Sequence, residues 1–257
     1  MTDSISFCNV DGSEFSKERR IELLAELNAI MPEMIVFEDD GYYKKCIVLK
    51  AKNYILYDPT KEKESDRKQI KGSAFKSAKK EPMIATMMQD MVNAILNEKE
   101  ETLLNIYEEY VHKVMTITDI VPWCSKVTLT ESVLACQGYE AYTKEELKAK
   151  GIRANETNVW DAVKHQELIQ QGDKVYLFPA ILSASTSTKT FKNGNSKEKT
   201  TLTYGLLQPN YWDGNNHDVI HLLARLHDTV KIFQFILDLS AYNKYSLVKN
   251  YKKLLDS

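Results

Sequence analysis

Residues 42–57 read YYKKCIVLKAKNYILY, and this stretch decides the fold class of the region around it. Two runs rich in β-branched and aromatic residues, 42–49 and 54–57, are separated by Lys-Ala-Lys-Asn. Such runs on either side of a short polar break predict an antiparallel hairpin. A third β-rich run, 34–38, precedes them across an Asp-Asp-Gly turn signal, so we expect a meander.

The segment upstream of the meander combines a strand pattern with a helix pattern. Residues 5–10 alternate weakly between apolar and polar side chains, which predicts a strand. Residues 16–31 carry apolar side chains at helical spacing between a candidate N-cap, Ser16, and Pro32. With a short extended piece at 69–72, the order strand, helix, strands is typical of an α+β fold.

The rest of the chain is mostly helical in pattern. Methionines supply much of the apolar face of the first helix, which favours an adaptable core over a binding groove. The tract 183–203, rich in Ser, Thr and Lys, predicts either a protruding hairpin turning at Asn193-Gly194 or a mobile loop. Strands are expected at 127–133 and 174–182, and helices at 82–96, 102–115, 144–150, 159–170, 217–239 and 245–255.

These patterns predict two domains with a boundary near residue 80. The fold class we expect is α+β. Residues 1–80 form a partial antiparallel sheet with a packed helix, and residues 81–257 form a mostly helical domain with a small β-rich tip. With 43% apolar residues in 257, the chain has enough material for these cores, which excludes general disorder.

Charge is distributed unevenly along the chain. The net charge is −2, yet residues 44–80 hold twelve Lys or Arg and four Asp or Glu, which leaves −10 on the other 220 residues. A charged loop is ordinarily just solvated. Lysines spaced along a hairpin and its following segment could instead neutralise successive phosphates of a nucleic acid, without reading its sequence. The lysines concerned are Lys44, Lys50, Lys52, Lys71, Lys76, Lys79 and Lys80.

Targeting and metal signals are weak in this sequence. No signal peptide or membrane-length apolar run is present, so we expect a soluble, cytoplasmic protein. The segment His217-Asp218-Val219-Ile220-His221 imitates the zinc-binding pattern HExxH but has Asp in place of the catalytic Glu, which disfavours a zinc site.

Two carboxylates are candidates for magnesium binding. Asp3 precedes the predicted strand 5–10, and Glu38 ends the predicted strand 34–38. An acid so close to an amino terminus is usually idle. If the two strands are neighbours, however, the two side chains could share a Mg²⁺ ion, which takes oxygen ligands and tends to use one or two protein carboxylates plus substrate phosphates.

Taken in order, the amino-terminal motifs resemble the palm of family B DNA polymerases of the phage and archaeal type. Thr2-Asp3-Ser4-Ile5 is similar to the end of the palm motif YxDTDS, with Met1 where the family has an earlier aspartate. The segment FEDDGYY at 37–43 is similar to LEYEGFY, which places Glu38 on the carboxylate near the metal site. Lys52-Asn53-Tyr54 resembles the DNA-contacting KKxY element, with Ala51 in place of its first lysine.

Later motifs follow the same family order into the thumb domain. Ile70-Lys71-Gly72 and Lys79-Lys80-Glu81 are similar to the sequences that lead from palm to thumb. Residues 127–130, 159–162 and 172–176 resemble a thumb strand, the HVxVA helix and the GDxVxY strand. The resemblance therefore spans almost the whole chain, with residues 1–80 as the distal palm and 81–257 as the thumb.

The resemblance implies a DNA-directed DNA polymerase that uses two Mg²⁺ ions to transfer a nucleotide to a primer. Asp3 would be a catalytic metal ligand and Glu38 a catalytic carboxylate. Lys50, Lys52, Tyr54, Lys71, Gly72, Lys79 and Lys80 would contact DNA. Since the exonuclease, fingers and remaining palm motifs are absent, the chain should be inert alone. We expect its partners to be an N-terminal polymerase fragment carrying those parts, primer-template DNA and dNTP.

Several alternatives stay open at this point. The chain could be a non-catalytic DNA-binding accessory module in which Asp3 is vestigial, or a structural protein with a coincidentally basic loop. The division of the polymerase could reflect a split gene or a split intein that joins the two halves. Residues 242–257 could bind a sliding clamp, or Leu254 and Leu255 could belong to the thumb core. A phage-encoded polymerase would act in the host cytoplasm.

Overall fold

The computed structural model describes residues 5–72, 75, 81–139, 142–166, 168–190 and 196–240. At residues 144, 189, 190, 196 and 197 it describes the backbone alone. The fold is α+β, with two antiparallel three-stranded sheets, as the sequence predicts. The chain divides into two compact units. The first comprises Met1–Val48 and Tyr54–Ile70, and the second comprises Leu49–Asn53 and Lys71–Ser257. The sequence-based division at residue 80 stays a prediction.

The first unit contains helix α1 (Lys17–Ala29), which confirms the helix predicted over 16–31. The Ser16 side chain caps it by accepting a 3.1 Å hydrogen bond from the Arg19 backbone N–H. The helix ends before Pro32, which cannot continue it. None of its residues is fully buried, but Leu23, Leu24, Leu27 and Asn28 are half-buried along one face, in agreement with the packed helix of the predicted fold class.

The strands predicted at 5–10 and 34–38 are wrong. Both segments are described in full and are irregular, with most of their side chains exposed. Val10 is 108% exposed and Met34 is 95% exposed. A strand forms only where a neighbouring strand satisfies its N–H and C=O groups, and alternation in sequence does not provide that neighbour. At Phe37 the Asn28 side chain takes the place of a neighbouring strand. Its Oδ1 accepts a 2.7 Å hydrogen bond from the Phe37 N–H, and its Nδ2 donates a 3.1 Å hydrogen bond to the Phe37 carbonyl.

The first sheet confirms the predicted hairpin. Strands β1 (Lys45–Lys50) and β2 (Asn53–Tyr57) are joined by Ala51 and Lys52, and β3 (Lys68–Lys71) lies beside β2 in the order β1-β2-β3. The predicted extended piece at 69–72 therefore exists as β3. A single helical turn, α2 (Glu64–Arg67), precedes β3.

Three helices form the body of the second unit. They are α3 (Pro82–Leu96), α4 (Leu103–Met115) and α8 (Val219–Val230), and they pack against one another. Met87, Met88 and Met91 are buried in α3, which confirms that the methionine face is core. Between α4 and α8, the buried Tyr107 hydroxyl lies 2.9 Å from Nδ1 of the buried His227.

The second sheet lies in the same unit. β4 (Ser125–Thr128) pairs antiparallel with the start of β5 (Lys174–Thr190), and β6 (Ser196–Leu207) pairs antiparallel with the remainder of β5. Short helices α5 (Glu131–Leu134), α6 (Lys144–Ala149) and α7 (Ala154–Val163) lie between β4 and β5 in sequence. A core cluster covers one side, and its members are Leu129, Val133, Cys136, Val159, Trp160, Val163, Val175 and Leu177.

Four sequence predictions in this unit need correction. The strand predicted at 127–133 ends at Thr128, because the Thr130 side chain caps α5 instead. The helix predicted at 159–170 is α7, which begins at Ala154 and ends at Val163. It begins there because the Glu156 side chain accepts a 3.1 Å hydrogen bond from the Arg153 backbone N–H. The helix predicted at 217–239 is α8, which spans only Val219–Val230 and is followed by one 3₁₀ turn, Lys231–Phe233. The predicted small β-rich tip is larger than expected, with strands of 17 and 12 residues.

Short 3₁₀ helices complete the described chain. They are Glu100–Thr102, Val121–Trp123, Pro209–Tyr211 and Lys231–Phe233. No helix among the described residues has the length and apolar character needed to cross a lipid bilayer. The helix predicted at 245–255 lies outside the described residues, as does the candidate clamp-binding segment 242–257.

Candidate nucleic-acid interface

The turn between β1 and β2 is fixed by a buried asparagine. Lys52 adopts a left-handed backbone conformation, with φ of +60°, which a lysine rarely takes. Asn53 follows it and is only 3% exposed. Its Nδ2 donates a 2.9 Å hydrogen bond to the Ala51 carbonyl and thereby closes the turn. Lys50 therefore lies at the end of β1, and Lys52 lies within a defined turn.

Gly72 lies directly against this turn. A Cβ atom at Gly72 would be 2.3 Å from Oδ1 of Asn53 and 2.7 Å from the Lys52 carbonyl oxygen. The φ of Gly72 is +122°, a conformation open to glycine and strained for other residues. Two motifs separated in sequence, Lys52-Asn53 and Lys71-Gly72, therefore meet in the second unit.

We expect Gly72→Ala to break this junction. The new methyl group would overlap a buried amide and a backbone carbonyl, neither of which can move away freely, in addition to the cost of the positive φ. Its free energy of unfolding should fall by about 1–3 kcal/mol more than that of a variant in which another glycine with positive φ, but without such close contacts, is replaced by alanine. Urea denaturation of the two variants measures the difference.

Gly41→Ala is the matched control for that experiment. Gly41 has φ of +124°, almost the same as Gly72, but its Cβ would meet only Cε2 of Tyr43 at 3.5 Å, an ordinary contact. Equal losses in the two variants would show that the contact of Gly72 with Asn53 has no energetic weight.

In the part of the chain that the structure describes, no acidic side chain pairs with the lysines at this junction. Lys50, Lys52 and Lys71 are exposed, and no carboxylate in the described part of the chain lies within 4.0 Å of their ammonium groups. By contrast, Lys44 is paired with Glu14 at 3.0 Å. We define Lys50, Lys52 and Lys71 as the lysine cluster. A cluster of cations without anions is a candidate site for phosphates.

The structure places the predicted DNA-binding residues as follows. It brings Lys50, Lys52, Lys71 and Gly72 together at the turn through the contact between Gly72 and Asn53. Tyr54 follows Asn53 in β2 and is half-buried. Lys79 and Lys80, like Lys76, lie outside the described residues.

Sequence reasoning missed Asn53, although the residue organises the junction. Asn53 corresponds to the x of the KKxY-like element, a position to which the resemblance assigns no role. Asparagine at the end of a two-residue hairpin loop is a turn signal that could have identified it, because its side chain can bond the backbone two residues away. Its contact with Gly72 depends on the pairing of β2 with β3, which no local pattern reveals.

The structure describes only one of the two carboxylates predicted to bind magnesium. Asp3 lies outside the described residues. Glu38 is exposed in an irregular segment, because the strand predicted at 34–38 does not form. Among the described residues, no three His, Cys, Asp or Glu side chains are grouped so that they could hold a metal ion. The metal-binding role of Glu38 and its pairing with Asp3 therefore stay predictions.

The HExxH-like segment has structural contacts of its own. Nδ1 of His217 accepts a 3.2 Å hydrogen bond from the Trp212 indole, and burial lowers the pKa of His217. The Asp218 side chain caps α8 by accepting a 3.0 Å bond from the His221 N–H. These contacts explain the residues as a strand-to-helix junction and give no support to a zinc site.

The chain matches no model of a known protein family, and it matches no curated protein sequence.

Proposed function

We propose that this chain provides the distal palm and the thumb of a family B DNA polymerase, which is a DNA-directed nucleotidyltransferase. The observation that carries the proposal is the junction of Gly72 with the Lys52-Asn53 turn. This contact joins the two sequence elements, KKxY-like and I-K-G-like, that the resemblance assigns to DNA contact. It also brings together the backbone segments that carry the lysine cluster.

The chemistry of the lysine cluster suits the backbone of a primer-template duplex. Each exposed ammonium group can neutralise one phosphate and release a condensed counterion. Such contacts position DNA and do not read bases, as a polymerase requires at its duplex-holding surface. A rigid turn lowers the cost of binding, because the backbone of Lys52 and Asn53 is ordered before DNA arrives.

Exposed apolar side chains in the first unit support the proposed polymerase partner. Val10, Ile30, Met34 and Val36 are 108%, 73%, 95% and 72% exposed, and α1 buries none of its residues. A helix of 13 residues whose most covered face is only half-buried gains little from packing within the unit, and exposed apolar side chains of this size are available for contact with another chain. We propose that the first unit binds polymerase sequence carrying the exonuclease, the fingers and the rest of the palm.

In the assembled polymerase, Asp3 and Glu38 would join the catalytic carboxylates, with Mg²⁺ and dNTP as the cofactor and substrate. Bound Mg²⁺ would supply charge stabilisation of the phosphoryl group in transfer. Lys79 and Lys80 would extend the DNA contact beyond the lysine cluster. Such an enzyme acts in the cytoplasm, which is the host cytoplasm for a phage-encoded chain.

Removing the lysine cluster tests the proposal. The triple variant Lys50→Gln, Lys52→Gln, Lys71→Gln should bind a short mixed-sequence DNA duplex about 100-fold more weakly near 0.15 M salt. The slope of log affinity against log salt should become shallower by about 2.7, since each lost phosphate contact removes about 0.9. Fluorescence anisotropy over a salt series measures both quantities.

A charge-matched triple variant is the control. Lys113, Lys164 and Lys231 are paired with Glu109, Asp161 and Asp228, so replacing them with Gln removes the same charge from lysines that already have partners. This control should change the salt slope little. Equal slopes for the cluster variant, the control and the unaltered protein would overturn the proposed DNA contact.

A further inference from the structure

Strand β5 has a different neighbour on each of its two sides. β4 pairs with the start of β5, and β6 pairs with the remainder, which confirms the hairpin alternative for the tract 183–203. The peptide groups of successive residues in a strand point alternately to its two sides. The Asp173 carbonyl points toward β4, since it accepts a 2.8 Å hydrogen bond from the Leu129 N–H. The N–H and C=O groups of Lys174 and Tyr176 therefore point to the other side, which is the side of β6.

β6 ends before it reaches these peptide groups. The last register pair joins Phe178 to Leu207, and the chain then enters the 3₁₀ helix Pro209–Tyr211. Proline has no N–H to donate, so it cannot continue the ladder. In the described part of the chain, no hydrogen bond from β6 or from a loop reaches the N–H and C=O groups of Lys174 and Tyr176 on this side. We call these groups the open edge, and an open strand edge can pair with another chain.

A cleft of about 550 Å³ borders the open edge. Its lining includes Lys174, Tyr176 and, from the segment that follows β6, Gln208. Gln208 is only 7% exposed, and its Nε2 has no hydrogen-bond partner among the described residues. A buried donor without an acceptor costs free energy, which a ligand carbonyl would recover. The described chain therefore leaves an unused side-chain donor beside an unused strand edge.

The exposed face beside the open edge is basic. The side chains of Lys174 and Tyr176 are exposed and share one face of β5, as alternate residues of a strand do. Lys126 is the register partner of Tyr176, and its Nζ lies 5.5 Å from the centre of the Tyr176 ring. Among the described residues, no carboxylate lies within 4.0 Å of Nζ of Lys126 or Lys174. The nearby Asp173 carboxylate accepts a 2.9 Å hydrogen bond from the Gln170 N–H. Acidic side chains would complement this face.

We propose that the open edge binds an extended acidic segment of another protein, which adds to the sheet as an antiparallel strand in line with β6. Its main chain would form hydrogen bonds with Lys174 and Tyr176, and one of its carbonyls would accept from Nε2 of Gln208. Its residues directly opposite Lys174 and Tyr176 would carry the acidic side chains, because cross-strand neighbours share a face.

A peptide backbone fits the open edge better than a phosphate does. Phosphate oxygens can accept hydrogen bonds from lysines and from N–H groups, but they cannot donate to the open carbonyls of Lys174 and Tyr176. A strand supplies donors and acceptors in alternation, as the open edge requires. The inference is independent of the proposed function, since no DNA contact enters it.

The first test uses the full chain and a fluorescein-labelled, end-blocked hexapeptide, Glu-Val-Glu-Val-Glu-Val. Fluorescence anisotropy should show saturable binding with a Kd of about 10–100 μM. In an antiparallel pair, the peptide residues on the face of Lys174 are those whose N–H groups point to β5. Methylating the glutamate amide nitrogens should therefore weaken binding at least about tenfold, and methylating the valine nitrogens should change it little. Equal effects of the two methylated peptides, or no saturable binding up to about 1 mM, would overturn the proposal.

The second test concerns the charge of the partner. Lys174→Glu should weaken binding of the glutamate peptide about tenfold, because it places like charges on neighbouring strands. Lys148→Glu is the matched control, since Lys148 is an exposed lysine on α6 and does not line the cleft. A hexapeptide with lysine in place of glutamate should bind the unaltered chain at least about tenfold more weakly. Equal binding of the two hexapeptides would contradict an acidic partner.

Gln208→Met separates binding from stability. Methionine has a similar shape and no donor, so the free energy of unfolding should not fall, and urea denaturation checks this. Affinity for the glutamate peptide should nevertheless fall about fivefold, because the carbonyl loses its donor. Unchanged affinity would overturn the role of Gln208.

Sedimentation of the unaltered chain tests a second copy as the occupant. Dimers that the glutamate peptide dissociates would identify the occupant of the open edge as a second copy and overturn the acidic partner. A chain that stays monomeric while it binds the peptide supports the proposal. Since none of these measurements contains DNA, their failure would leave the proposed function standing, and loss of the lysine-cluster result would leave this inference standing.

Discussion

If the proposed polymerase complex exists, its Asp3→Asn variant should incorporate nucleotides about 10²–10³-fold more slowly than the same complex with Asp3. The resemblance gives Asp3 the role of a metal-ligating carboxylate, and asparagine has the same shape without the negative charge. A ligand of this kind contributes several kcal/mol of charge stabilisation in the transition state. DNA affinity should change little, because the contacts that hold the duplex lie elsewhere. Single-turnover incorporation and anisotropy, measured on the same complex, separate the two effects.

Asp66→Asn is the control for that measurement. Asp66 is an exposed carboxylate on α2 in the first unit, so its replacement removes the same charge from a residue with no assigned role. Its incorporation rate should match that of the unaltered enzyme. Full activity of Asp3→Asn would identify Asp3 as vestigial and would favour the alternative of a non-catalytic DNA-binding module.

Replacing Arg225 with methionine should destabilise the second unit by about 2–4 kcal/mol. The Arg225 guanidinium donates two hydrogen bonds to Glu81, at 3.1 Å from Nε and 3.0 Å from Nη2. Glu81 is only 9% exposed and also accepts a 3.1 Å bond from the Ser125 hydroxyl. Without the guanidinium, a buried carboxylate loses its countercharge and two of its donors. Urea denaturation monitored by tryptophan fluorescence measures the loss.

Two comparisons test the physical reason for this loss. Arg19 on α1 pairs with Glu22 and Glu26 on the exposed surface, so Arg19→Met should cost far less. Adding Glu81→Gln to Arg225→Met should recover part of the stability, because the uncompensated charge disappears. If Arg19→Met and Arg225→Met cost the same, burial of the pair does not contribute.

The predictable part of the fold was the part with local causes. Helix α3 begins at a proline and carries its own apolar face, and the sequence predicted its bounds, Pro82–Leu96, without error. The hairpin of β1 and β2 carries its turn between its strands. The strands predicted at 5–10 and 34–38 failed because no strand in the described part of the chain pairs with them, and a pattern of alternating side chains does not reveal whether such a partner exists. The extent of the long hairpin was missed because its outer residues lack the apolar pattern that marks a strand.

The candidate site was predictable residue by residue but not as an arrangement. Lysine density and motif order pointed to Lys50, Lys52 and Lys71. The contact that unites them depends on the pairing of β3 beside β2 and on a buried asparagine side chain. Contacts of that kind come from tertiary structure. The carboxylate part of the prediction, Asp3 with Glu38, stays a prediction.

The ion pair between Glu81 and Arg225 has a consequence for folding during translation. Its two members are 144 positions apart, and Tyr107 and His227 are 120 apart. Helices α3 and α4 are synthesised long before α8, so they emerge with their buried methionines and tyrosines uncovered. Loop closure over such separations is slow. During that delay the uncovered apolar faces are prone to aggregate, and we expect synonymous changes that slow translation between the two helices and α8 to prolong the exposure.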